Sequence, residues 1–142
     1  MKKDNKKIIQ IVLFPVIVFV FNRLVNMPFD LYSMFPWLDI PMHFIGGVSI
    51  GVSASLLLRY QQERSSCGQV NRFFCFFWII GIVSLMATLW EFYEFTSDYF
   101  FHTEWQIGVA DTTGDLFFGL VGGSVAGLYL IHRLYRFDHN KK

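Results

Sequence analysis

Residues 73–90 read FFCFFWIIGIVSLMATLW and contain no charged side chain. A helix needs about 20 mostly apolar residues to cross a hydrocarbon core of about 30 Å, so this stretch predicts a membrane-spanning helix over about 73–95. Because 54% of the 142 residues are hydrophobic, they cannot all be buried inside so small a soluble globule. The chain therefore reads as one integral membrane domain, residues 1–142. We predict an all-α bundle of four transmembrane helices, at about 8–25, 41–58, 73–95 and 113–131.

The basic residues indicate how this bundle is oriented. Eleven of the 12 lie in the N-terminal tail, in the segment 59–72 or in the C-terminal tail, and Arg23 is the exception. An even number of spans places these three segments on one side of the membrane, and the positive-inside rule assigns that side to the cytoplasm. We therefore expect a multi-pass protein of the bacterial cytoplasmic (inner) membrane, with both termini in the cytoplasm.

Polar and small residues recur on three of the spans at helical spacing. Residues three or four apart share one helical face, and small side chains allow membrane helices to approach closely. These faces should therefore contact protein, with their ionisable ends meeting near the outer surface. The three stripes are Asp39, His43, Gly47, Gly51 and Ser55; Gly81, Ser84, Thr88, Glu91, Glu94 and Asp98; and Asp111, Asp115, Gly119, Gly123 and Gly127.

Ionisable residues within spans are rare and usually functional. Several crowded carboxylates need a cation to stay ionised, and one histidine among carboxylates suits Mg²⁺, Mn²⁺ or Zn²⁺. Arg23 is the candidate substrate-binding residue, because a guanidinium binds anions through paired hydrogen bonds. The candidate catalytic residues are His43, Glu91, Glu94 and Asp115, and the candidate metal ligands are His43, Glu91, Glu94, Asp98 and Asp115.

Several of these residues also have a structural interpretation. Acidic side chains favour helix N-termini, so Asp39 and Asp111 can act as caps and Asp98 can simply be solvated. Asp39 also precedes Pro41, which disfavours helical geometry at the intervening residue. Residues 112–115, TTGD, fit a capping box with Thr112 as the cap. The glycines need no role beyond packing. Cys67 and Cys75 belong to no metal-binding motif and are interpreted as incidental.

Three segments together resemble a known family. They are residues 39–47 (DIPMHFIGG), 90–94 (WEFYE) and 111–115 (DTTGD), the last followed by Gly119, Gly122 and Gly123. In this order they look like the YjdF-like family of bacterial inner-membrane proteins and, more distantly, the VanZ-like family. Glu94 departs from the VanZ-like pattern, in which a glutamine is common. The resemblance implies the four-span fold and the choice of site residues. VanZ-like proteins are associated with glycopeptide resistance, and the resemblance implies no substrate.

Three functions remain open from the sequence. The first is a non-catalytic module that binds an envelope partner or lipid. The second is a metal-assisted enzyme that acts on a lipid or lipid-linked head group in the outer leaflet. The third is a transporter or proton relay. We expect the lipid bilayer and lipid-linked envelope molecules as partners, and no nucleic acid. The sequence does not decide the substrate, the metal or the oligomeric state.

Overall fold

The computed structural model describes residues 2–29, 31–64 and 70–139, and within these ranges every regular element is helical. Four of the helices are long and apolar enough to cross a membrane, which confirms the predicted all-α bundle with four spans. A short helix and a 3-10 turn connect the first span to the second. The elements are α1 (Lys2–Phe29), α2 (Leu31–Met34), the 3-10 turn (Pro36–Leu38), α3 (Asp39–Arg64), α4 (Arg72–Phe101) and α5 (Val109–His139).

The helices extend beyond the apolar windows because hydropathy detects the lipid-facing part of a helix and not its hydrogen-bonded ends. The side chain of Asn71 caps α4 by accepting a hydrogen bond from the Phe73 N–H at 2.9 Å. The helix then continues to His102, which adopts a left-handed backbone conformation with φ 55°. Likewise, α5 begins at Val109 and not at residue 113. The capping box predicted at Thr112 is therefore wrong, since Thr112 lies inside the helix.

Helix α3 packs most extensively against α5, and glycines make this contact possible. A Cβ atom added at Gly122 would overlap the carbonyl group of Phe44, and one at Gly47 would overlap that of Gly119. At Gly51, an added Cβ would lie 2.9 Å from the Gly123 carbonyl oxygen. At these positions the backbones of the two helices are in direct contact, which stripes of small residues permit in membrane proteins. The predicted packing role of the glycines on α3 and α5 agrees with this geometry.

The buried apolar cluster lies toward the end of the bundle where α3 ends and α4 begins. Cys75, Ile79 and Val83 are each only 1% exposed, and Ala54 and Ile131 pack with them. Cys75 is a free thiol within this cluster, in keeping with a packing role; Cys67 lies outside the described residues. We call the other end, where α3 begins, α4 ends and α5 begins, the site end.

Helix α1 is the outermost of the four spans. It packs mainly on α3, and none of its apolar window is buried within the protein. Away from the site end, Lys7 forms an ion pair with Glu63, which also accepts a hydrogen bond from Arg59 at 3.1 Å. Exposed ion pairs contribute little to stability, so apolar contacts are the main interaction between α1 and α3.

Candidate functional site

Three ionisable side chains from two helices converge at the site end. One ring nitrogen of His43 on α3 and one carboxylate oxygen each of Glu91 and Glu94 on α4 all lie within 4.8 Å of one another. Glu91 and Glu94 are three residues apart, which places them on the same face of α4. Such a grouping could hold a metal ion.

His43 is shared with a second group of acidic residues. Its Nε2 atom lies 3.3 Å from a carboxylate oxygen of Asp39 and 3.8 Å from one of Asp115. The ligand atoms of these three residues also lie within 4.8 Å of one another. The histidine thus links acids from α3, α4 and α5. Carboxylates beside a metal-binding histidine orient its ring and make it a better ligand.

Glu91 is the most unusual member of the site. Glu91 is only 5% exposed, and neither carboxylate oxygen accepts a hydrogen bond of ordinary geometry among the described residues, although the side chains of Thr112 and Gln106 lie near it. Glu94, by contrast, accepts a hydrogen bond from the Trp90 indole N–H at 2.8 Å. A buried carboxylate without a partner is strongly destabilising. A cation or a proton bound at Glu91 would remove this cost.

Arg23 lies in a cage of aromatic rings. Its guanidinium carbon is 4.3 Å from the centroid of Trp105, 4.9 Å from that of Tyr93 and 5.4 Å from that of Trp90. The Nε and Nη2 atoms are buried without a hydrogen-bond partner among the described residues. Cation–π attraction accounts for the position of the charge, and the aromatic cage keeps these two donors out of the surrounding solvent.

Asp98 and Asp111 organise the loop between α4 and α5. The Asp98 carboxylate accepts hydrogen bonds from the Trp105 N–H at 3.0 Å and the Gln106 N–H at 2.8 Å, and from the Thr103 hydroxyl. Asp111 accepts one from the Ile107 N–H at 3.1 Å. These bonds place Trp105 over Arg23. The structure therefore does not bring Asp98 to the His43 group, and its predicted role as a metal ligand has no geometric support.

A cavity of about 390 Å³ adjoins the ionisable group. Its walls come from α1, α3 and α4, with Gly119 contributed by α5, and most of its lining is apolar. Asn22, Asp39, His43 and Glu94 form its polar end. Phe19 and Trp90 belong both to this cavity and to the Arg23 cage. The ionisable group is thus accessible from a space large enough for a ligand.

Sequence reasoning missed several residues of this region. Asp39 was placed on the same helical face as His43 but left out of the candidate site residues, because capping explained it; it is the first residue of α3, and its side chain lies beside His43. Trp90 was not singled out, although it lies four residues before Glu94 and so shares its face. The Tyr32 hydroxyl donates a hydrogen bond to Asn22, and burial raises the pKa of Tyr32 above its ordinary value. No spacing pattern could have found the Asn22–Tyr32 pair.

The fold and the site together define a small membrane protein of four spanning helices with a histidine–carboxylate group inside one end of the bundle. The chain belongs to the family described as "Predicted membrane protein (DUF2238)", whose profile matches residues 2–136. This match establishes a membrane protein family and supplies no activity. No curated protein and no solved structure matches the chain.

Proposed function

We propose that this protein binds a divalent metal ion at the His43–Glu91–Glu94 group and, through the ion, the anionic head group of a membrane lipid. One observation carries the proposal: three ligand atoms lie within 4.8 Å of one another, and one of them belongs to a buried carboxylate without a partner among the described residues. One histidine with several carboxylates is a donor set for Mg²⁺, Mn²⁺ or Zn²⁺.

The position of the group favours a lipid head group as the ligand. The site end lies at the terminus of three membrane-spanning helices, at the depth where lipid head groups meet water. A bound ion would attract a phosphate or carboxylate, and the guanidinium of Arg23, 5.4 Å from the ring of Trp90, adds positive charge at the same end. The resemblance to YjdF-like and VanZ-like membrane proteins rests on the segments that contain His43, Glu91 and Glu94, which supports this choice of residues.

The second candidate is a metal-assisted enzyme acting on a lipid-linked head group. It is favoured by the two carboxylates of Asp39 and Asp115 beside His43, because a group outside the metal-binding set can act as a general base. The ion would polarise a phosphoryl or carbonyl oxygen. In this reading His43, Glu91, Glu94 and Asp115 are the catalytic residues. A proton relay is less consistent with the bundle, since below the site α3 and α5 pack through glycines.

Metal binding by the purified protein tests the proposal directly. Adding Mg²⁺, Mn²⁺ or Zn²⁺ to protein stripped with a chelator should raise its unfolding temperature, because an ion that binds only the folded state stabilises it by mass action. The measurement is thermal unfolding in detergent, together with the metal content of protein purified without chelator. If none of the three ions is retained or raises the unfolding temperature, the proposed metal site is refuted.

We also propose that the site end faces away from the cytoplasm. Reporter fusions after Lys142 and within residues 59–72 should report a cytoplasmic location, whereas a fusion near Glu104 should report the outside. The physical reason is that basic residues are concentrated in the segment 59–72 and in the C-terminal tail. Reversal of all three fusions would overturn the proposed orientation and leave the four spans intact, whereas a single fusion on the wrong side would overturn the four-span topology itself.

A further inference from the structure

The cavity beside the ionisable group has the form of a groove along the membrane-spanning part of the bundle. Helix α1 packs mainly on α3 and meets α4 through Phe19 and Trp90, whose ring centroids are 5.7 Å apart. The space between α1 and α4 is lined along α1 from Val12 to Asn22. Ten residues of helix correspond to about 15 Å. The groove therefore extends from the polar end well into the hydrocarbon depth.

The walls of the groove are suited to a hydrocarbon chain. Val16 and Met86 line it from opposite sides and are 47% and 42% exposed. Its floor includes Gly46, Gly47 and Gly119, which have no side chains to fill the space. Because these helices span a membrane, the molecules that surround α1 and α4 are lipids. A groove at this depth, with apolar walls, is accessible from the bilayer and not from water.

We propose that this groove binds one hydrocarbon chain of an anionic membrane lipid, which enters sideways from the bilayer. The groove is apolar along its length and polar at one end, as a lipid is. A hydrocarbon chain beside Val16 and Met86 would place its head group at the end formed by His43 and Glu94. A metal ion bound at that end would complement a negative charge, as would the positive charge of Arg23, which lies outside the cavity lining but 5.4 Å from the ring of Trp90, a lining residue. The inference rests on the proposed function for the head group, but the groove can be tested independently of the ion.

Gly46 offers a way to block the groove without disturbing the fold. A Cβ atom added at this position has no heavy atom within 4 Å, although Gly46 lines the cavity. The substitution Gly46→Leu therefore places a branched side chain in the groove. Gly81 on α4 is the matched control, since an added Cβ there also meets nothing within 4 Å and the residue is not part of the cavity lining.

The test uses photolabelling in phosphatidylcholine nanodiscs. The probe is phosphatidylglycerol with a diazirine in its acyl chain, and the labelled positions are mapped by mass spectrometry. In the wild-type protein we expect labels concentrated on groove residues such as Val16 and Met86. Gly46→Leu should lose this labelling, whereas Gly81→Leu should keep it. The same diazirine chain on phosphatidylcholine should label the groove less, because its head group carries no net charge.

Two results would overturn the inference. One is labelling of the groove that Gly46→Leu leaves unchanged, and the other is equal labelling of the groove by the two lipids. Metal addition and chelation separate the inference from the proposed function. If the groove is labelled and blocked as expected in a protein that retains no metal, the groove stands and the metal centre fails. If metal binds but the groove labelling is absent, the metal centre stands and the groove fails.

Discussion

Replacing Glu91 with Gln is expected to stabilise the protein when metal is absent and to destabilise it when metal is present. In chelator, the variant removes a buried carboxylate that has no partner among the described residues, a change worth about 1–3 kcal/mol. With the ion at about 1,000 times its Kd, the wild-type protein gains about 4.1 kcal/mol. The variant lacks one ligand and should lose most of this gain. Unfolding of both proteins should be measured in chelator and in Mn²⁺. The variant should be the more stable protein in chelator, and the wild type the more stable one in Mn²⁺.

Asp98→Asn is the matched control for this experiment. Asp98 is also an acidic residue at the site end of α4, but its oxygens accept hydrogen bonds from the loop between α4 and α5. We expect Asp98→Asn to destabilise the protein by a similar amount with and without metal. If Glu91→Gln behaves in the same metal-independent way, Glu91 is not a ligand. If Asp98→Asn alone abolishes the response to metal, the assignment from the sequence was better than the one from the geometry.

Gly122→Ala should separate α3 from α5 and severely weaken the fold. The added Cβ would overlap the Phe44 carbonyl oxygen and lie 3.0 Å from the Phe44 carbonyl carbon and 3.1 Å from the Val48 nitrogen. These are backbone atoms and cannot move away as a flexible side chain does. Overpacking of a core typically costs about 1–3 kcal/mol and occasionally more, and we expect the upper end here. The measurement is unfolding in detergent followed by circular dichroism.

Gly81→Ala provides the comparison, because an added Cβ at Gly81 meets no atom within 4 Å. Alanine is the better helix former, so this variant should be unchanged or more stable by up to about 1 kcal/mol. Equal stability of Gly122→Ala and Gly81→Ala would contradict the close contact between α3 and α5. The pair thus distinguishes the effect of close packing from a general effect of replacing glycine in a membrane helix.

Arg23 illustrates the limit of a prediction made from charge alone. The sequence marked it as the one basic residue away from the basic tails and the 59–72 segment, and suggested that it binds an anion. The spacing of Phe19 and Arg23 indicates a shared face of α1. However, Tyr93 and Trp105 come from α4 and from the loop that follows it. Because Asp98 holds this loop through backbone hydrogen bonds, only the folded chain reveals the aromatic cage.

The amino-acid sequence by itself determined the four spans and the faces that carry small and ionisable residues. The reason is that the bilayer thickness sets the length of an apolar helix and the period of the α-helix sets which residues share a face. These are properties of one helix at a time. They sufficed to select His43, Glu91, Glu94 and Asp115, which lie on stripes with helical spacing.

Only the tertiary structure decided which of these residues meet. The distance between side chains on different helices depends on how closely the backbones approach, and the glycine contacts between α3 and α5 determine this. As a result Asp115 on α5 lies beside His43 on α3, whereas Asp98 turns to the loop. The groove likewise depends on the separation of α1 from α4, which no local pattern encodes. Helical period acts along one chain segment, while packing is a property of several segments together.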